Sequence, residues 1–485
     1  MAEISLIFIP FPVISHLTPT IEIAKILLSR DHRLSITFLV IDIPQRDASL
    51  ASLTTSIISD RLHFLDVVLP PNQHSQSSKP SGIAAIESAK PAVKKTISDL
   101  VVRSQSAASG PRIAGFVLDM FCTAMIDIAT EFNLPSYIYY TCGSSFLSIV
   151  LHVQKLCDDD ALDIADFKNS SVEFSLPEFS NLIPARLLPS MALDKDFSAS
   201  FVGKARAFRK TKGILVNSLV ELEPHAIESM KLDRSVPPIY SVGPVLNMNS
   251  NTAFIRQEQE KEIMEWLDQQ PPASVVFLCF GSRGAFKPDQ VKEIARGLES
   301  SGCRFLWALR QPSSSNVRFS PPTDYEDFSE VLPEGFLQRT YGVGKVIGWA
   351  PQTAVLDHPS VGGFVSHCGW NSILESLWFG VPIATWPLYA EQQMNAFEVV
   401  KEMKIGVEIS LDYRLEMGGK QAEGSGIISG EQIERGIRDV MQEDSEVRKK
   451  VKLMMEKSRE AVVEGGSSYN YIQNFISDLR TNIGL

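Results

Sequence analysis

Several common signatures are missing from this chain, and each absence removes a class of chemistry. No apolar run approaches the roughly 18 residues that a membrane span needs, so none is expected. The chain passes from Met-Ala-Glu directly into an apolar strand, without the basic stretch and cleavable apolar core of a secretory leader. The cytoplasm is the compartment this predicts. Positive charge is in deficit: 46 Lys and Arg against 57 Asp and Glu leave a net charge of -11, with no basic cluster. Nucleic acid is excluded as a partner on that ground, because phosphate backbones are held by basic surfaces. Cysteine is sparse, and the six (122, 142, 157, 279, 303, 368) show no CxxC spacing. They read as free thiols in a reducing compartment. There is no GxGxxG after the first strand, no GxxxxGK[ST] and no HExxH. Dehydrogenase, P-loop and zincin chemistry therefore lack their motifs. No metal and no cofactor are expected.

What is present is an ordinary globular composition, 44% hydrophobic and 21% charged over 485 residues, long enough for two domains. Apolar runs at Ile4–Ile9, 34–40, 62–67, 113–118 and Ser136–Tyr140 read as strands, with helices over 20–29, 83–102 and 123–131 between them. The second half repeats the alternation. Strands are predicted at 274–280, Arg304–Ala308, 344–346, 363–366 and Ile383–Thr385, and helices near 288–300, 353–356, 372–379, 395–401 and 429–441. Continuous rather than alternating hydrophobicity marks strands buried on both faces, and hence parallel sheets covered by helices. The Pro-, Asn- and Ser-rich stretch 237–251 reads as turn-like linker. Surface loops are predicted at 70–81, 311–327 and 415–425. The division is a first domain over 1–245, a linker over 246–262, a second domain over 263–464 and a final helix within 465–485.

The richest stretch runs from Trp349 to Gln392. An apolar strand, Gly363-Phe364-Val365, opens through Ser366-His367-Cys368-Gly369-Trp370 onto a helix-like run from Asn371 to Phe379. A strand that opens through small polar residues onto a helix N-terminus offers backbone N–H groups and the positive end of a dipole to a phosphate. His367 adds a donor, Gly369 close backbone approach, and Asn371 and Ser372 read as caps that also reach an anion. Glu375, one turn further on, suits a ribose diol. Trp349 offers a flat ring to a base, and Glu391 and Gln392 offer an acceptor and an amide to sugar hydroxyls. The order base, ribose, phosphate, sugar points to a nucleotide-sugar enzyme.

At these residues the chain resembles the family-1 UDP-sugar-dependent glycosyltransferases of plant secondary metabolism. Its WAPQ start, HCGWNS centre and closing Glu-Gln match that family's signature box, and the similarity runs the length of the chain to Gly465-Gly466-Ser467-Ser468. The branch it looks most similar to glucosylates flavonoids and other small phenolics, terpenoids or hormones. The resemblance implies an α/β architecture of the GT-B type, two doubly wound Rossmann-like domains facing across a cleft, with the final helix crossing back to the first domain. It implies UDP-glucose as donor substrate, with Gln392 favouring glucose by serving as both donor and acceptor, and a small lipophilic acceptor as the other partner. A monomer is expected. His16 matches the family's general base, although Ser15 stands where Gly is usual. Asp119, at the end of the apolar run 115–118, would fix the imidazole tautomer as His16 takes a hydroxyl proton. Thr18 and Pro19 read as cap and first residue of the next helix. Ser282, after the strand at 274–280, is a candidate for a diphosphate oxygen. Ala350, Gln352, Trp370 and Thr141 complete the expected UDP-sugar set, and Phe121, Tyr140, Phe146 and Phe201 the expected acceptor pocket. A nucleotide-sugar epimerase and a non-catalytic UDP-sugar-binding protein stand as alternatives.

Overall fold

The computed structural model describes residues 3–42, 59–68, 82–106, 110–160, 162–168, 170–176, 179–248, 257–313, 322–415 and 426–484. The predicted loop 70–81 lies outside them, as do 416–425 of the loop at 415–425, 314–321 of the loop at 311–327 and 249–256 of the linker. The chain forms two compact units. Residues 1–159, 200–247 and 460–485 make the first, and 160–199 with 248–459 make the second.

In the first unit seven parallel strands form one sheet. They are β1 (Ile4–Ile9), β2 (Leu34–Asp42), β3 (Leu62–Val68), β4 (Arg112–Asp119), β5 (Ser136–Tyr140), β6 (Gly213–Val216) and β7 (Ile239–Ser241), in the order β3-β2-β1-β4-β5-β6-β7. All six residues of β1 are buried, Ser5 among five apolar ones, as expected of a strand covered on both faces. The order reverses between β1 and β4, where Ile9 pairs with Leu118. Two strands that diverge to opposite sides leave a crevice at their carboxyl ends, and ligands in such sheets sit there.

Three local expectations give way here. Helix α1 spans Ile14–Arg30 with Val13 as its N-cap, so it starts earlier than Thr18–Pro19. His16 N and Leu17 N both donate to Val13 O, and Pro19 lies inside the helix. Close to the helix start, proline forgoes a single ladder bond and its fixed φ suits the turn. The stretch 237–251 is not all turn: Ile239–Ser241 pairs with Ile214–Val216 as the edge strand β7. Two prolines before an edge strand cost no ladder bond, which is why they do not break it. Residues 160–199, placed in the first domain by sequence, belong to the second unit. The Arg414 guanidinium donates to Arg186 O, Leu188 O and Ser190 Oγ, and Glu402 accepts from Ser180 N and Asn181 N.

The second unit carries a six-stranded parallel sheet. Its strands are β8 (Val275–Cys279), β9 (Arg304–Ala308), β12 (Gly344–Ile347), β13 (Val361–Ser366), β14 (Ile383–Thr385) and β15 (Gly406–Glu408), while β10 (Arg310–Gln311) and β11 (Thr323–Asp324) form a separate antiparallel pair. The order β12-β9-β8-β13-β14-β15 reverses between β8 and β13, where Cys279 pairs with Ser366. Helix Gln257–Asp268 begins inside the predicted linker. Each sheet has its own buried core. Helix Ser467–Asn482 inserts Ile472, Phe475, Ile476 and Leu479 into the first, Phe475 meeting Tyr137 and Tyr240 edge-on.

Candidate active site

In the first unit the crevice at the β1/β4 reversal holds a histidine and a carboxylate. The first turn of α1 carries His16, and the last residue of β4 is Asp119. His16 Nδ1 lies 2.8 Å from Asp119 Oδ2, and the carboxylate is fully buried. The other carboxylate oxygen, Oδ1, accepts from Phe121 N at 2.8 Å. Asp119 thus anchors the turn after its strand and orients the imidazole at once. With Nδ1–H donating to the carboxylate, Nε2 carries the lone pair. Thr141, expected at the sugar, places Oγ1 3.3 Å from the same Nδ1. Phe11 and Phe121 flank the imidazole, with ring centroids 5.7 and 5.2 Å away, and touch each other at 5.2 Å. The result is a half-buried base with one nitrogen fixed by an anion and two aromatic neighbours.

In the second unit the β8/β13 reversal brings two turns together. The first contains Gly281 (φ +72°) and Ser282, and the second contains His367, Cys368 and Gly369. A Cβ on Gly281 would stand 2.5 Å from His367 Nε2, and one on Gly369 2.6 Å from it. The two glycines are therefore what lets the imidazole lie in this crevice. Burial holds the His367 pKa down at about 4, so the ring is neutral at physiological pH and works as a hydrogen-bonding group rather than a cation. Helix Trp370–Phe379 follows, with Gly369 as N-cap and its ladder starting at Ile373 N to Gly369 O. Asn371 and Ser372 are accordingly in the first turn, not caps. The glycine takes the cap position because a side chain there would strike His367. Asn395 Nδ2 donates to Cys368 O and secures the turn, in which Cys368 adopts φ +61°.

Farther along the same helix, Glu375 is half-buried and its pKa is pushed up to about 7 by burial, against a hydrogen bond from Gln352 that lowers it. Gln352 Nε2 reaches both Glu375 Oε2 (2.7 Å) and Ser372 Oγ (2.8 Å). Trp349 is half-buried and Ala350 buried, on the segment that leads to Gln352. Gln392 is buried, and its Oε1 accepts from Leu388 N and Tyr389 N at 3.0 Å each. Those two bonds use the acceptor lone pairs, so the amide offers a sugar a donor and not the donor and acceptor together. Glu391, which precedes it, is half-buried. Among the described residues no group of three or more His, Cys, Asp or Glu is arranged to hold a metal ion, and no helix is long and apolar enough to cross a membrane.

The family described as "UDP-glucoronosyl and UDP-glucosyl transferase" matches residues 238–417. A UDP-glucose flavonoid 3-O-glucosyltransferase of Fragaria ananassa is 50% identical over 488 residues, covering 98% of this chain and 99% of that protein. The chain belongs to the UDP-glycosyltransferase family. Solved structures agree with this assignment. A transferase of Siraitia grosvenorii in complex with UDP has a TM-score of 0.85 at 43% identity, covering 98% of this chain and all of that one. A Medicago truncatula enzyme complexed with UDP-glucose has a TM-score of 0.83 at 39% identity, covering 98% of each chain. This glycosyltransferase is of the GT-B fold class, and the epimerase and non-catalytic alternatives are set aside.

For the glycosyltransferase, the four aromatics expected to meet the acceptor are placed differently from one another. Phe121 lies beside His16, whereas Tyr140 is wholly interior, between Phe146 and Phe208. Phe146 is buried, and Phe201 is half-buried in helix Ser198–Phe208. Phe11 and Asn395 escape the sequence reading. Phe11 carries a signal, an aromatic between two prolines directly after a strand. Asn395 carries none, standing in helix Gln392–Phe397 beside two other polar residues, Gln392 and Gln393.

Proposed function

We propose that this glycosyltransferase moves glucose from UDP-glucose to a hydroxyl of a small phenolic acceptor, a flavonoid foremost, with inversion at the anomeric carbon. The observation that carries the reading is the Nδ1–carboxylate contact of His16 with Asp119, which leaves Nε2 as the basic nitrogen. His16 Nε2 accepts the hydroxyl proton while the acceptor oxygen attacks the anomeric carbon. The bond from that carbon to the β-phosphate oxygen breaks, and its electron pair leaves with UDP. Asp119 stabilises the imidazolium that forms. A single displacement turns the α-linked donor into a β-glucoside. His367, Ser282 and the N-terminus of helix Trp370–Phe379 receive the diphosphate, the helix dipole supplying positive potential. Glu375 takes the ribose hydroxyls, Trp349 stacks on uracil, and Gln392 donates to the sugar. No metal ion is needed for this scheme. The reading includes a monomer acting in the cytosol, checked by light scattering and cell fractionation.

A donor and acceptor panel tests it. UDP-glucose, UDP-galactose, UDP-xylose and UDP-glucuronate are each incubated with flavonoids, coumarins, hydroxybenzoates and terpenoids, with and without EDTA. The expected outcome is highest kcat/KM for UDP-glucose with a flavonoid, a β-configured product by NMR, and full turnover in EDTA. An α-configured product would overturn inversion. Turnover lost on chelation and restored by magnesium or manganese would overturn the metal-free scheme.

A further inference from the structure

The indole of Trp349 has a neighbour that the donor-binding scheme does not use. Arg310 Cζ stands 5.1 Å from the centroid of that ring, within cation–π range. The guanidinium is anchored from behind. Its Nη2 donates to Pro322 O at 2.7 Å, and its Nε lies 2.9 Å from Asp324 Oδ1 and 3.3 Å from Thr323 O. These anchors exist because β10 and β11 pair antiparallel, with Arg310 opposite Asp324. Only 13% of the side chain is exposed, and Nη1 is buried with no hydrogen-bond partner. A buried guanidinium donor left unpaired is costly, and the π face of Trp349 is the group beside it that offsets the cost. The backbone before the indole is held by the same device. A Cβ on Gly348 would come within 2.6 Å of Asp324 Cγ, so glycine is what allows the Trp349 segment to lie against the Arg310–Asp324 pair.

We infer that Arg310 is a positioning residue for donor recognition: it covers one face of the Trp349 indole and fixes the ring plane, so that the uracil of the donor stacks on the opposite face. The inference rests on the reading of Trp349 as the uracil platform. Arg310 itself touches no reacting atom.

The test measures binding of UDP and of inorganic pyrophosphate, which lacks a base, to the full-length protein by calorimetry. Arg310→Ala, Arg310→Lys, Trp349→Ala and the double variant Arg310→Ala/Trp349→Ala are compared, together with kcat and KM for UDP-glucose. Arg310→Ala is expected to weaken UDP about three- to thirtyfold. KM for UDP-glucose should rise with kcat nearly unchanged, and pyrophosphate binding should stay the same. Arg310→Lys should restore only part, because an ammonium has neither the planar face nor the fork of donors. In the Trp349→Ala background, loss of Arg310 should add nothing further. Equal losses for UDP and pyrophosphate, or additive losses in the double variant, would overturn the inference. Weak UDP binding by Trp349→Ala with unchanged binding by Arg310→Ala sinks the inference alone, and unchanged binding by Trp349→Ala sinks the platform reading as well. Should Arg310→Ala fail to fold, Arg310→Lys carries the same comparison.

Discussion

At the scale of single residues, two ionisable groups in this protein have work that their surroundings decide. In the proposed mechanism His16 serves as the base because Asp119 occupies its other nitrogen. His16→Ala should lower kcat by about 10²–10⁴-fold, with UDP affinity near wild type by calorimetry, since the groups assigned to UDP belong to the second unit. In Asp119→Asn the amide still closes the turn through Oδ1 but donates to Nδ1, which forces the proton onto Nε2 and blocks the base. Its kcat should fall comparably while the melting temperature changes little, and wild-type turnover would reduce Asp119 to a turn anchor. The second group is Glu375, whose pKa is raised from 4.5 to about 7. A raised carboxyl means that the folded state holds a proton the unfolded state has lost between those values. Stability therefore declines as pH rises from about 4.5 to about 7 and stays lower above it. Glu375→Gln should remove that decline, so ligand-free melting curves of variant and wild type should separate above pH 7 and converge below pH 4.5. Parallel curves across the range would contradict the assignment. The same substitution should weaken UDP, because a carboxylate accepts two ribose hydroxyls better than an amide does.

At the scale of elements, the crevice proposed for the donor depends on two turns that approach more closely than side chains allow. Gly281 sits at φ +72° with the His367 ring where its Cβ would be. Gly281→Ala should cost about 1 kcal/mol for the left-handed backbone alone and displace the imidazole as well. The expected result is UDP binding weakened at least tenfold with kcat for bound substrate less affected. Unchanged affinity by calorimetry would show that His367 does not hold the diphosphate in this position. The approach of these turns is invisible in either segment alone. The β8 turn reads only as Gly-Ser-Arg-Gly, a weak motif, and its meaning comes from the pairing of Cys279 with Ser366 across the sheet.

At the scale of the whole molecule, the chain returns to complete the unit in which it started. The final helix contributes Ile472, Phe475, Ile476 and Leu479 to the core of the first sheet, and Arg480 pairs with Asp31 at 2.6 Å. Each such buried apolar side chain contributes roughly 1.5–3 kcal/mol, and a domain is stable by only about 5–15 kcal/mol. Truncation after Gly466 should therefore leave the first unit unable to fold, seen as insoluble expression or loss of its cooperative transition in calorimetry. A soluble truncated protein with wild-type melting would show the helix to be an accessory.

Local chemistry that lies contiguously along the chain was legible without a structure. The Trp349–Gln392 segment suggests its use because a strand end, a polar turn and a helix N-terminus follow one another, so the groups proposed to meet a phosphate are neighbours in sequence. Strands such as Ile4–Ile9 and Arg304–Ala308 were equally plain, since burial on both faces leaves a run that is apolar but for Ser5 in the first and Arg304 at the start of the second. The short strands Gly213–Val216 and Ile239–Ser241 were not, the second because it lies in a Pro-, Asn- and Ser-rich stretch that reads as linker. His16 and Asp119 were each visible as a polar residue after an apolar strand, but their 2.8 Å contact is a property of the sheet order that sets β1 beside β4. The tertiary structure alone decided that the Gln392 amide oxygen accepts from two backbone N–H groups, that Phe11 packs on His16, and that Arg310 backs Trp349. The reason is physical: backbone periodicity and burial are written residue by residue, whereas the choice between two possible partners for a side chain is made only when distant strands have paired.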